Sequence, residues 1–131
     1  MRSSAVLVIA GLAVLSVFAG SAFAQPVISI DGSCPTRLTF RWEEALPDHT
    51  GALIYSHATG NLLLPGPPCD GTRLGLGSSG IRLVRTFRTG PEGSGEMVGR
   101  AAVFACGGYL QVITVEGNRP CTTSNVVQIP Q

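Results

Sequence analysis

No segment of ten or more residues after Gln25 carries the 3.6-residue apolar spacing of a helix; short β-patterned runs cut by Gly, Pro, Asp and Asn fill the chain instead. That punctuation predicts an all-β domain, and the number of runs predicts a two-sheet antiparallel sandwich rather than one open sheet. The cleanest run is Thr36 to Glu43, where Leu38, Phe40 and Trp42 alternate with Arg37, Thr39, Arg41 and Glu43. One face of that strand belongs to a core, anchored by the lone tryptophan, and the other to water. Further strands are expected at Val27 to Ile30, Ala52 to Ser56, Asn61 to Leu64, Arg73 to Leu76, Ile81 to Thr89, Glu96 to Val103, Tyr109 to Val115 and Ser124 to Ile129. Pro65, Pro67 and Pro68 forbid a central strand between Leu64 and Arg73.

The first 24 residues have a different character. Met1 to Ser4 give a short basic start, Ala5 to Phe18 an apolar run broken only by Gly11 and Ser16, and Ala22-Phe23-Ala24 a small-x-small cleavage pattern. Residues 1–24 therefore read as a cleavable signal peptide and residues 25–131 as one mature domain of 107 residues. A retained membrane helix would need roughly 20 apolar residues, more than this run supplies. A lipid anchor would need a cysteine just after the apolar run, and the first is Cys34. The expected location is secreted, extracellular or periplasmic, with no membrane association after cleavage.

Charge excludes some partners. All nine basic residues are arginine, and eight remain after Arg2 is removed, against eight acids. A net charge near zero gives no electrostatic footprint for nucleic acid or an anionic membrane.

Cys34, Cys69, Cys106 and Cys121 all fall in the mature part, and four cysteines in an exported chain predict two disulfides. Zinc is disfavoured, because no CxxC pair exists and no histidine lies at ligand spacing from a cysteine. If every strand reverses direction, Cys34 and Cys106 fall at one end of the sandwich and Cys69 and Cys121 at the other, which favours those two pairs. The rival, Cys34 with Cys69 and Cys106 with Cys121, stays open, since loop-closure entropy of about 4 kcal/mol for a long loop and about 3 for the short one does not decide.

The stretch GGYLQVITVEGNRPCTTSNVVQI resembles the last two strands of bacterial immunoglobulin-like or fibronectin type III-like modules, a YLQ strand leading through a loop to a closing SNVV strand. RLVRTFRTGPEGSGEMVG resembles the preceding hairpin of such modules, and the mature chain is similar to small exported bacterial domains with cysteines flanking these strands. The resemblance implies an immunoglobulin-like sandwich acting in surface display or adhesion, and carries no active-site residues.

Candidate chemistry is sparse. Gly75-Leu76-Gly77-Ser78-Ser79-Gly80 matches GxGxxG, but the next residues, Ile81 to Thr89, have a strand pattern rather than a helical one, so a glycine-rich turn is expected and no nucleotide cofactor. His49 and His57 flank one strand, up to about 26 Å apart at 3.3 Å per residue. With Asp48 they are expected to be solvated or turn-forming residues rather than metal ligands. Ser78, Ser79 and Ser94 lie outside any GxSxG pattern, and the adjacent acids Glu43 and Glu44 point to opposite faces of a strand.

The highest-ranked binding set is arginine. Arg82 and Arg88 share one face of a regular strand and would clamp carboxylate or sulfate groups, with Arg37 and Arg41 extending the surface. Arg85 alternates onto the face of Ile81, Leu83 and Phe87, which requires a register shift or a rim position; solubilising, edge-protecting roles compete with binding. The expected function is a non-catalytic secreted binding or surface module without cofactor, whose partner is a cell-envelope polysaccharide or another secreted protein. Two alternatives are an enzyme inhibitor presenting the proline-rich loop Leu64 to Asp70, and a small enzyme.

Overall fold

A computed structural model describes residues 25–116 and 121–131. The expected signal peptide, residues 1–24, lies outside the described residues. The described chain is nearly all β: β1 (Val27–Ser33), β2 (Arg37–Glu43), β3 (Thr50–Ser56), β4 (Arg82–Arg88), β5 (Gly95–Gly99), β6 (Tyr109–Val115), β7 (Thr122–Thr123) and β8 (Val127–Gln128), with one 3₁₀ turn at Val103–Ala105. Two antiparallel sheets result. One has the order β1-β2-β5, and the other has the order β4-β3-β6-β7 with β8 also pairing β6.

The sheets share one core. Even-numbered β2 residues Leu38, Phe40 and Trp42 are buried with Ile28 of β1, and meet Leu53 and Tyr55 of β3 and Leu110 and Val112 of β6. Burying eight side chains of this size is the main favourable term of the fold, at about 1.5–3 kcal/mol for each large aliphatic or aromatic group. The indole of Trp42 lies 4.5 Å from the Phe87 ring centroid and donates its Nε1–H to the Thr89 carbonyl at 3.1 Å. Both rings need glycine beneath them: a Cβ on Gly51 would stand 2.6 Å from Phe87, and one on Gly95 would stand 2.5 Å from Trp42.

A second core lies on the opposite face of β3. Residues 57–81, between β3 and β4, run out and back as a narrow ribbon held by isolated bridges, Thr59 to Leu76 and Leu63 to Arg73. Leu74 and Leu76 of the ribbon are buried with Ala52 and Ile54 of β3, Ile113 of β6, Cys69 and Cys121. β3 is therefore covered on both faces, which explains its continuous apolar run Ala52-Leu53-Ile54-Tyr55.

The ribbon replaces two of the expected sheet strands. Asn61 to Leu64 and Arg73 to Leu76 form bridges only within the ribbon, because both edges of β3 are already taken by β4 and β6. The segment expected over Glu96 to Val103 ends at Gly99, where Ala101 donates its N–H to Pro35 O instead of continuing the ladder. The segment expected over Ser124 to Ile129 contributes only Val127–Gln128, with Thr122–Thr123 as a separate short pairing. Asn125, between them, uses its side-chain amide on β1, accepting from Ile28 N–H at 2.8 Å and donating to Ile28 O at 3.0 Å.

Two disulfides fasten the layers, Cys34 to Cys106 and Cys69 to Cys121, with Cα separations of 5.7 and 5.2 Å. The first joins the β1–β2 turn to the segment after the 3₁₀ turn, and the second ties the covering ribbon to the start of β7. This is the pairing that alternating strand direction favours. Two bridges suit an oxidising compartment. No helix among the described residues is long and apolar enough to cross a membrane.

Candidate functional site, an arginine-rimmed cleft between the sheets

The two flanks of the paired sheets differ. On one flank the Asn125 amide links the C-terminal segment to the backbone of β1. On the other flank the edge strands β4 and β5 face each other, plugged at one end by the Trp42–Phe87 stack and open at the other. There a cleft of about 320 Å³ reaches into the core. Its floor is apolar, from Phe40 and Leu38 of β2, Leu53 and Tyr55 of β3, Met97 of β5 and Leu110 of β6. Its mouth is bordered by Arg82, Arg85 and Arg100.

An irregularity in β4 puts two of those arginines there. Leu53 pairs with Arg85 and Ile54 with Leu83, so Val84 is an extra residue, and the bulge resets the alternation. Arg85 and Arg82 consequently stand opposite Leu53 and Tyr55, two residues of the shared core, although three positions apart. A regular strand would have sent them to opposite faces. Both arrangements that alternation leaves for Arg85 are present: the register shift separates it from Leu83, and it stands exposed at the rim on the same side as Phe87.

The third arginine arrives on a strap. Residues 100–106 leave β5, form the 3₁₀ turn and end at Cys106, whose bridge to Cys34 pins the strap to the β1–β2 turn. Further hold comes from Ala101 N–H donating to Pro35 O at 3.2 Å and Gly107 N–H donating to Ile129 O at 3.1 Å. Phe104 stays 57 % exposed beside the mouth, with the Arg82 guanidinium 5.3 Å from its ring centroid. His57 meets Phe104 edge-on and its Nδ1 lies 2.8 Å from the Tyr55 hydroxyl. Val84 and Val98, which line the cleft with Phe104, and the neighbouring Val103 are each at least half exposed.

The other arginines lie elsewhere. Arg88 donates to Asp48 O and to Thr50 Oγ1, at the opposite end of β4 from Arg82. Arg41 bridges Asp31 at 2.8 Å and Glu96 at 3.1 Å across the outer face of the first sheet. Arg37 is exposed at the start of β2, paired in register with Ser33. The structure thus brings Arg82 together with Arg85 and Arg100, and not with Arg88, Arg37 or Arg41.

The remaining candidates have structural partners. Gly75 donates its N–H to Gln111 Oε1, Gly77 to Ala58 O, and Gly80, at φ +64°, lies against the His57 ring, so the GxGxxG run is part of the ribbon and of the turn into β4. His49 and His57 flank β3, and His49 Nδ1–H donates to Pro47 O at 2.7 Å. Glu43 and Glu44 are both exposed. The Leu64–Asp70 loop closes the far end of the ribbon, where Gly71 N–H donates to Leu64 O and Gly66 N–H to Asp70 Oδ1. Its prolines are exposed while Cys69 is buried. No group of three or more His, Cys, Asp or Glu among the described residues has metal-binding geometry.

Met97, Arg100 and Phe104 of the cleft carry almost no signal in the sequence. The one pointer to them is the apolar segment Ala101-Ala102-Val103-Phe104-Ala105 placed directly before Cys106. Neither a family model, nor a curated protein, nor a solved structure matches the chain.

Proposed function

We infer that the chain is an exported, non-catalytic binding module, an immunoglobulin-like sandwich over residues 25–131 that holds its ligand in the cleft between β4 and β5. The observation that carries this reading is an apolar opening into the core beside unpaired edge strands. About 320 Å³ falls at the lower end of the range for small-ligand sites, where a mostly apolar lining with a few polar groups is the rule. An open cleft of this kind leaves apolar surface in water, which an occupant would cover.

Export is supported by the signal-like residues 1–24 and by two disulfides in a domain of this size. A role at the cell envelope, with a polysaccharide or another secreted protein as the larger partner, extends the same reading to the exposed surface around Val103 and Phe104.

Methyl-resolved NMR of the mature protein tests the assignment. Small amphiphiles are expected to shift the methyl signals of Met97, Leu53 and Leu110 saturably, with no chemical turnover. Saturable binding that moves only signals at the Arg88 end, or on the outer face around Arg41, would overturn it.

A further inference from the structure

We propose that the cleft takes a single-chain anionic amphiphile, a free medium-chain carboxylate whose alkyl chain enters between the sheets while its head group rests among Arg82, Arg85 and Arg100; this rests on the cleft being the binding site. Chemistry at two depths supports it. The floor offers aliphatic and aromatic carbon, with Leu38, Phe40, Leu53, Tyr55 and Leu110 all buried, and Met97 partly so. At the mouth stand three guanidinium groups and, among the lining residues, no Asp or Glu.

The three arginines also lack internal counter-ions among the described residues. Among the described residues the ion pairs are those of Arg41 with Asp31 and Glu96, on the outer face of the first sheet. Arg82 is held by the Phe104 ring rather than by a carboxylate. A guanidinium stacked on an aromatic face keeps its N–H edges available, and those edges match a carboxylate in paired fashion.

The size of the cleft limits the chain. At roughly the 30 Å³ that a water occupies in the liquid, about ten methylene-sized groups fill it. A free, singly chained acid suits that space better than the two acyl chains of a membrane lipid, with its head at the solvent edge where the exposed arginine side chains reach.

The test is calorimetric titration of the mature protein with decanoate, decanol and decyltrimethylammonium below their aggregation limits, beside vesicles of anionic phospholipid. Decanoate is expected to bind one to one, about tenfold more tightly than decanol, the scale of a charge-assisted contact at a half-exposed site. The ammonium compound is expected to bind more weakly than decanol. The triple variant R82Q/R85Q/R100Q removes the preference for acid over alcohol while keeping the alcohol's affinity. Ala102→Trp, at an exposed lining position, abolishes binding of both while circular dichroism reports the same fold. Equal binding of acid and alcohol would overturn the anionic assignment and leave the cleft as a site. Binding of none of the three would overturn both, and binding to vesicles without free decanoate would replace the free acid by a membrane surface.

Discussion

Replacing Cys34 and Cys106 together by serine perturbs the strap and not the ribbon, and the structure sets the scale. The bridge spans 72 residues of sequence, so in the chain-entropy description its removal lowers stability by about 4.4 kcal/mol; the 52 residues spanned by Cys69–Cys121 give about 4.1. Global unfolding therefore does not distinguish the two bridges. Local opening does, because each cross-link anchors a different layer. Without Cys34–Cys106 the 100–106 strap keeps only a few backbone bonds, Ala101 N–H to Pro35 O and Gly107 N–H to Ile129 O among them. Native-state hydrogen exchange in the cold is expected to show Ala101, Ala105 and Gly107 losing protection beyond the global change, while Leu62, Leu64 and Leu74 track it. The Cys69–Cys121 double serine variant is expected to give the reverse pattern. Equal extra loss in both segments from either variant would refute the division into separately fastened layers.

Two further substitutions test the covering layer. Leu76→Ala, at a fully buried ribbon position, is expected to cost about 2–5 kcal/mol in urea unfolding; a loss under about 1 would show that the ribbon adds little to the core. Thr72→Val removes a buried hydroxyl that has no hydrogen-bond partner among the described residues, and is expected to be neutral or to stabilise by about 1 kcal/mol, so a marked loss in the same assay would show that the hydroxyl has one.

Different parts of the molecule are legible in the sequence to different degrees, for physical reasons. Thr36 to Glu43 is plain because one of its faces is wet, so burial writes an alternation that β2 reproduces. Ala52 to Ser56 is readable as a strand and its two-sided burial is not, since a run of apolar residues is silent about what covers each face. The ribbon misleads because Asn61 to Leu64 and Arg73 to Leu76 have strand-like composition but form β-bridges only within the ribbon. The Val84 bulge adds one residue, too small an offset to mark a periodicity, and it brings Arg82 to the side of Arg85. Arg100 is hidden for a related reason, because the strand reads on to Val103 unless the tether from Cys106 to Cys34 is known. The cleft itself has no sequence signature: it exists because the consecutive strands β4 and β5 enter different sheets instead of pairing, and leave one flank unzipped.

β3 has a consequence for how the molecule comes apart. Its odd residues sit in one core and its even residues in the other, and its two edges carry β4 and β6. Melting this single strand therefore empties both interiors in the same event, so with both disulfides in place the sheets and the ribbon are expected to come apart together. Fraying is confined to pieces that β3 does not hold, of which the strap is the foremost. The strap that borders the proposed site is thus free to breathe at little risk to the rest.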